Sequence, residues 1–131
     1  MKILIVDDMM SMRHIMMHML RDLGYLNVDE AIDGLQALKL IGSKQYDLVI
    51  TDLNMPNLDG QELLLRIRKS PITADLPVLM VSCECDKSKI TALIKAKLTG
   101  FIVKPFNSNT LKCQLDRISS KLQKKVSIEF S

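Results

Sequence analysis

Five short apolar runs alternate with stretches of helical periodicity, and this alternation constrains the fold more than any other feature of the sequence. Each run is continuously apolar, which is typical of strands buried on both faces of a parallel sheet. Parallel strands need a crossover connection, usually a helix, so the pattern predicts an α/β domain with a parallel sheet. The predicted strands are Lys2–Val6, Asn27–Ala31, Leu48–Thr51, Val78–Ser82 and Gly100–Val103.

The stretch after the first strand has the clearest helical pattern. From Met12 to Leu23, apolar residues recur at i, i+3, i+4, i+7, i+8 and i+11, which makes one stripe of an amphipathic helix. Gly24 marks the expected end of this helix. Asp33 is the start signal of the second helix, and Asn107 or Ser108 is that of the last. The other predicted helices are Gly34–Ile41, Gly60–Lys69, Lys87–Lys95 and Ser108–Leu122.

Length and composition exclude several classes of protein. A chain of 131 residues suits one domain, and 47% apolar with 25% charged residues excludes wholesale disorder. No apolar run approaches the roughly 18 residues of a membrane span, and the apolar start is too short for a signal peptide. The cysteines Cys83, Cys85 and Cys113 are odd in number and lack paired spacing, which indicates reduced thiols and a cytoplasmic location.

Chemically active side chains follow four of the predicted strands. Ligands of open parallel sheets bind at the carboxyl ends of the strands, so we expect these side chains to share one site. Crowded acids resist full ionisation unless a cation joins them, and Mg²⁺ suits carboxylate ligands. Mg²⁺ and a lysine could together hold a phosphoryl group, with an Asp as its acceptor. The residues are Asp7, Asp8, Asp52, Ser82 and Lys104.

Charge is divided unevenly between the two halves of the chain. Residues 1–60 carry nine acidic and five basic residues, whereas residues 61–131 carry six acidic and thirteen basic ones. This imbalance is compatible with a basic surface for nucleic acid, or with acids gathered for a purpose. Because the chain has few aromatic residues and no nucleic-acid recognition motif, a solvated or protein-docking face is the preferred interpretation.

A histidine pair and a cysteine pair suggest alternative metal sites. His14 and His18 have the i, i+4 spacing of metal ligands on a helix, and Met10 and Met17 could add soft copper ligands. The stretch reads HIMMH and lacks the glutamate of a metalloprotease, so an exposed histidine pair is the preferred interpretation. Cys83 and Cys85 have no second pair to complete a zinc site.

Five stretches resemble the receiver domains of two-component response regulators, in particular the stand-alone chemotaxis type. They are ILIVDD (3–8), RDLGY (21–25), TDLNMPNLDG (51–60), LPVLMVS (76–82) and GFIVKPF (100–106). The resemblance covers about residues 1–122 and implies a flavodoxin-like doubly wound (βα)5 domain with strand order 2-1-3-4-5. Residues 123–131 form a tail in which Val126, Ile128 and Phe130 alternate with polar residues. This alternation is typical of an edge strand or a docked segment, with a linker remnant or a frayed end as alternatives.

The resemblance implies the roles of the acidic residues and the lysine. Asp52 matches the phosphoacceptor, and Asp7 and Asp8 match the acidic pair that binds Mg²⁺. Asp52 itself and the backbone carbonyl of Asn54 match the remaining protein ligands of the metal. Lys104 matches the lysine that contacts the phosphoryl oxygen.

Further roles implied by the resemblance concern switching and the lifetime of the phosphoryl group. Ser82 matches the hydroxyl that moves toward the phosphoryl group, and Phe101 matches the aromatic switch position. Asn54 and Glu84 match the two positions that tune hydrolysis. The bond Lys104–Pro105 matches one that is typically cis in this family.

The implied function is that of a phosphoacceptor signalling switch. A sensor histidine kinase donates the phosphoryl group, and the chain is an enzyme only for its own phosphorylation and dephosphorylation. An output protein, with the flagellar motor switch as a candidate, binds the fourth helix, fifth strand and fifth helix. The resemblance leaves a monomer or a weak homodimer open. Leu53, Asp86, Lys97 and Gln114 depart from the chemotaxis pattern and alter the recognition surface.

Two alternative functions remain beside this one. The chain could be the receiver part of a longer regulator with a different output. A phosphotransferase of the haloacid dehalogenase type also uses an Asp nucleophile on an α/β sheet. That family needs Asp-x-Asp after its first strand, whereas Asp7 and Asp8 are adjacent here and Asp52 follows the third strand.

Overall fold

The computed structural model describes residues 1–83 and 87–130, with side chains described up to residue 120. Within these residues, five strands and five helices alternate strictly along the chain. Strand and helix bounds are β1 (Ile3–Val6), α1 (Met10–Asp22), β2 (Val28–Ala31), α2 (Gly34–Ser43), β3 (Leu48–Asp52), α3 (Gly60–Lys69), β4 (Val78–Ser82), α4 (Lys87–Lys95), β5 (Gly100–Val103) and α5 (Ser108–Phe130).

All strands are parallel and lie in the order β2-β1-β3-β4-β5, which confirms the predicted fold. The register aligns the carboxyl ends of the strands. Val6 is paired with both Ala31 and Thr51, and Ser82 is paired with Val103. Residues that end one strand or directly follow it therefore lie beside those of the next strand.

Alternate residues of each strand enter two separate cores, one on each face of the sheet. Leu4 and Val6 pack in the core that α2, α3 and α4 cover. Ile3 and Ile5 pack in the core that α1 and α5 cover. Because both faces are buried, the strands are apolar along their whole length, and this explains the continuous apolar runs in the sequence.

The predicted helix starts and ends are largely confirmed. The Asp33 side chain accepts a hydrogen bond from the Gln36 amide at 2.8 Å, and Asn107 accepts one from the Thr110 amide at 3.0 Å. Gly24 has a φ of +95°, as expected for the residue that follows a helix. Strands β1 and β2 begin one residue later than predicted, β3 includes Asp52, and α2 extends two residues further, to Ser43.

The predicted edge strand in the tail is wrong, because α5 continues to Phe130. The apolar residues Ile118, Leu122, Val126 and Phe130 are spaced by four residues, which also fits helical periodicity. With no Gly or Pro after residue 107, nothing in the sequence interrupts the helix. The domain boundary at residue 122, the docked segment and the linker remnant stay predictions.

Among the described residues, none of the helices combines the length and the apolar character that a bilayer crossing requires.

Candidate functional site

Three carboxylates converge at the carboxyl end of the sheet. Asp7, directly after β1, is 4% exposed, whereas Asp8 is exposed and Asp52, the last residue of β3, is partly buried. One oxygen from each of the three lies within 4.8 Å of the others. The structure thus brings the three predicted acidic residues together, at a spacing that suits ligands of one cation.

A lysine ammonium lies beside two of these carboxylates. Lys104 Nζ is 3.5 Å from Asp7 Oδ2 and 3.6 Å from Asp52 Oδ2. The Lys104 amide donates to the carbonyl of Ser82 at 2.9 Å, which ties the residue after β5 to the end of β4. The Lys104–Pro105 peptide bond is cis. The ammonium therefore lies where it can contact an anion bound at Asp52.

The surroundings of Asp52 disfavour its charged form. Its pKa is raised above the ordinary value of 3.8, chiefly because burial removes water from the carboxylate. The Lys104 ammonium opposes this effect, and the negative charge of Asp7 reinforces it. The Leu53 amide donates to Asp52 Oδ1 at 2.8 Å, which favours the charged form. On balance, the charged form of Asp52 is disfavoured, and a cation beside it would favour that form.

Asp7 is held by groups that the sequence did not single out. The Met9 amide donates to Asp7 Oδ1 at 2.9 Å, and Arg13 Nη1 donates to the Asp7 carbonyl at 2.8 Å. Arg13 also forms an ion pair with Glu30 at 3.0 Å. Arg13 lies next to the apolar stripe of α1, but its helical spacing says nothing about a contact with the backbone after β1.

The loop between β3 and α3 carries Asn54, which is exposed. The Gly60 amide donates to the Leu53 carbonyl at 2.8 Å and closes the loop on itself. A Cβ atom on Gly60 would overlap the carbonyl oxygen of Asp52. Only glycine fits there, so the start of α3 packs directly against the end of β3.

The two predicted switch residues lie on neighbouring strands. Ser82 ends β4 and is fully buried. Phe101, which pairs with Met80, is half-buried and packs against the core on the α2–α4 face. Glu84, the second predicted hydrolysis-tuning position, lies outside the described residues.

The alternative metal sites gain no support. His14 and His18 are both exposed on α1 and share a surface hollow with Met17, Arg21 and Glu30. Within the described ranges, the only group of three acidic, histidine or cysteine side chains close enough to hold one ion is the cluster of Asp7, Asp8 and Asp52. Cys83 is free and exposed, and Cys85 lies outside the described residues.

Comparisons with known proteins agree with this geometry. The family model of the response regulator receiver domain matches residues 3–116. Chemotaxis protein CheY-3 of Vibrio cholerae serotype O1 is 47% identical over 122 residues, which are 93% of this chain and 94% of that protein. Chemotaxis protein CheY of Pseudomonas aeruginosa is 43% identical over 118 residues, which are 90% of this chain and 95% of that protein.

Solved structures share the fold. The chemotaxis response regulator CheY4 of Vibrio cholerae has a TM-score of 0.83 at 37% identity, over 89% of this chain and 97% of that one. The receiver domain of a sensor histidine kinase from Pseudomonas aeruginosa, with a magnesium ion in its active-site cleft, has a TM-score of 0.81 at 28% identity, over 90% of this chain and 97% of that one. The site geometry and the family match lead to one conclusion: the chain belongs to the response regulator receiver domain family.

Proposed function

We propose that the chain is a phosphoacceptor switch in which Asp52 receives a phosphoryl group from a phosphohistidine of a sensor histidine kinase. One observation carries the proposal. Asp52 lies within 4.8 Å of two further carboxylates and 3.6 Å from the Lys104 ammonium. A carboxylate nucleophile beside a cation site and a fixed ammonium is the arrangement that phosphoryl transfer requires.

Mg²⁺ is the cofactor that this donor set fits. Asp7, Asp8 and Asp52 are hard oxygen donors that lie close together. The pKa of Asp52 is raised, chiefly by burial and further by the charge of Asp7, and a bound cation would favour its charged form. We assign the backbone carbonyl of Asn54 as a further ligand. When bound, Mg²⁺ supplies the positive charge that offsets the phosphoryl oxygens and the crowded carboxylates.

The residues of the chain perform the transfer as follows. A carboxylate oxygen of Asp52 forms a bond to phosphorus while the bond from phosphorus to the imidazole nitrogen breaks, and that nitrogen takes a proton from solvent. Lys104 binds an oxygen of the transferred group. Water later attacks the acyl phosphate, which releases inorganic phosphate and restores Asp52. The chain catalyses only these two reactions on itself, and Asn54 and Glu84 tune the second.

Phosphorylation is read out through repacking of neighbouring strands. A dianion on Asp52 attracts the Ser82 hydroxyl as well as Lys104. Movement of Ser82 leaves space that the ring of Phe101 can enter, because the two side chains lie on paired strands. The output face is the surface of α4, β5 and α5, so phosphorylation shifts the population of its conformations.

A role in chemotaxis follows from the named relatives, which are chemotaxis proteins at 43% and 47% identity. We propose a cytoplasmic protein, monomeric or weakly dimeric, whose candidate partner is the flagellar motor switch. Phe101 lacks the hydroxyl of a tyrosine, so a partner that needs a hydrogen bond to a phenol at this position would not bind. Gln114, on α5, also departs from the chemotaxis pattern on this surface, whereas Leu53 is 4% exposed and lies in the core beside Asp52, so it is not part of the recognition surface.

Acetyl phosphate, a small phosphodonor, tests the proposal without the kinase. Incubation with Mg²⁺ is expected to add the mass of one phosphoryl group, and chelation of Mg²⁺ is expected to prevent the addition. Asp52→Asn should abolish labelling. Asp59→Asn is the matched control, because it makes the same chemical change seven residues away and asparagine still caps α3. Labelling that survives in Asp52→Asn would contradict the proposal.

A further inference from the structure

A buried carboxylate outside the acidic cluster joins the β2–α2 loop to the loop after β3. Asp33 is only 9% exposed, and both of its oxygens are engaged. Oδ1 accepts from the Gln36 amide at 2.8 Å, and Oδ2 accepts from the Asn57 side-chain amide at 2.9 Å. One residue thus caps α2 and also holds the segment that carries Asn54.

The Asp33 side of this contact is rigid. The side chain of Gln36 reaches back to accept from the Ile32 amide at 2.7 Å, so Asp33 and Gln36 close the start of α2 reciprocally. A Cβ atom added to Gly34 would lie 2.7 Å from the carbonyl oxygen of Leu58. The start of α2 therefore presses directly against the loop, and neither side can shift inward.

The Asn57 side is a strained turn. Asn57 has a φ of +67°, in the left-handed region, and the Leu58 amide donates across it to the Pro56 carbonyl at 2.7 Å. Such a turn is unfavourable for a residue with a side chain unless the surroundings enforce it. The hydrogen bond to Asp33 and the burial of Leu58 against Gly34 provide that enforcement.

These contacts bracket the segment that supplies a ligand. Asp52 anchors one end of the loop at the sheet, and Asn57 anchors the other end at α2, so Asn54 lies between two fixed points. We propose that Asp33 and Asn57 are positioning residues whose hydrogen bond holds Asn54 beside Asp52 and thereby sets the affinity of the site for Mg²⁺. This inference rests on the proposed function, because it assumes that the acidic cluster binds the ion.

The test is calorimetric titration of Mg²⁺ into the unphosphorylated full chain. Asn57→Gly keeps the left-handed turn but removes the amide, and it is expected to weaken binding by about tenfold, the usual effect of losing a group that orients a ligand. Asn57→Asp sets two carboxylates against each other and is expected to weaken binding at least as much. Asn27→Gly, at an exposed loop position, is the control and should bind like the unsubstituted chain.

A compensating substitution separates positioning from a general loss of stability. In Asp33→Asn with Asn57→Asp, the new amide can donate to the new carboxylate while its oxygen still caps α2. This double variant is expected to recover Mg²⁺ affinity to within about threefold of the unsubstituted chain. If net charge alone set the Mg²⁺ affinity, Asn57→Asp would bind Mg²⁺ more tightly than the double variant, because Asn57→Asp adds a negative charge that Asp33→Asn then removes.

Two results would overturn the inference. The first is Mg²⁺ affinity in Asn57→Gly and Asn57→Asp equal to that of the control. The second is a double variant that binds no better than Asn57→Asp. Absence of Mg²⁺ binding by the unsubstituted chain would instead overturn the proposed function, and this inference with it.

Discussion

Two aspartates at opposite ends of the sheet are placed in contrasting surroundings. At the carboxyl end, burial and the charge of Asp7 act on Asp52, and its pKa is raised. At the amino end, Asp29 accepts from the Tyr46 hydroxyl at 2.6 Å and pairs with Lys44 at 3.3 Å, and its pKa is lowered, chiefly by the hydrogen bond from Tyr46. The charged form of an aspartate is thus disfavoured at the carboxyl end and favoured at the amino end.

This contrast indicates that charged groups at the amino end of the sheet serve stability, whereas those at the carboxyl end serve function. At the amino end, charged groups have their partners within the chain, so their interactions contribute to the free energy of folding. At the carboxyl end, burial disfavours the charge of Asp52, and the proposed binding of a cation would favour that charge and stabilise the folded protein. Loss of a charged group or of its partner should therefore destabilise the protein at the amino end and stabilise the metal-free protein at the carboxyl end.

The largest effect is expected from Arg68→Ala at the amino end. The guanidinium donates to the Leu76 carbonyl at 2.6 Å and to the Lys97 carbonyl at 2.9 Å and 3.2 Å. Hydrogen bonds from a charged group are each worth about 1.5–3 kcal/mol, so the contacts with these two carbonyls should together contribute at least about 3 kcal/mol to the free energy of unfolding. Urea unfolding measures the loss, and labelling of Asp52 should persist.

Arg66→Ala is the control for this substitution. Arg66 is exposed and pairs with Glu62 at 3.8 Å, a surface ion pair one helical turn away, so its removal should cost less than about 0.5 kcal/mol. Equal losses for Arg66→Ala and Arg68→Ala would show that the carbonyl contacts of Arg68 do not stabilise the fold.

Asp52→Asn is expected to stabilise the metal-free protein by about 1 kcal/mol at pH 7, because it removes a charge that the site disfavours. The raised pKa of Asp52 means that its charge begins to destabilise the native state as the pH rises above the ordinary value of 3.8. Urea unfolding of both proteins, with and without Mg²⁺, measures the effect of the charge and the stabilisation by the metal ion. Two results would contradict this explanation. One is a lower free energy of unfolding in Asp52→Asn, and the other is stabilisation of Asp52→Asn by Mg²⁺ as large as that of the unsubstituted chain.

Tyr46→Phe is expected to destabilise the protein by about 1 kcal/mol at pH 7, because Asp29 loses its principal hydrogen bond. The lowered pKa of Asp29 means that this stabilisation is present above the ordinary value of 3.8 and is lost as the pH falls through the pKa of the folded state. The penalty of the substitution should therefore shrink in acid. Unfolding at pH 7 and pH 3 measures it, and a penalty independent of pH would refute the role given to Asp29.

The smallest effect is expected from Lys97→Gly. Lys97 follows α4 with a φ of +64°, a conformation that glycine adopts without strain. The substitution should stabilise the protein by about 0.5 kcal/mol, after allowance for the greater freedom of glycine in the unfolded chain. Lys95→Gly, inside the last turn of α4, should destabilise it instead. Equal effects at the two positions would show that the left-handed conformation carries no strain.

The sequence was sufficient to predict the sheet and the composition of the acidic cluster. Continuous apolar runs identify parallel strands, and residues such as Asp7 and Asp52 meet because parallel strands end at the same edge. The contacts of Arg13, Arg68 and Asn57 could not be predicted, because they join elements that are far apart in the chain and leave no local periodicity. The edge-strand alternative for the tail is wrong because apolar residues spaced by two, such as Val126, Ile128 and Phe130, can also belong to a helix in which Leu122, Val126 and Phe130 are spaced by four.

Identification of the phosphorylated residue is the most direct test of whether Asp52 is the phosphoacceptor. After treatment with acetyl phosphate and Mg²⁺, borohydride reduction of an acyl phosphate converts the aspartate to homoserine, which tandem mass spectrometry of peptides can locate. We expect conversion at Asp52 alone, and none when Mg²⁺ is removed. Conversion at Asp7 or Asp8, or at no residue, would contradict this assignment.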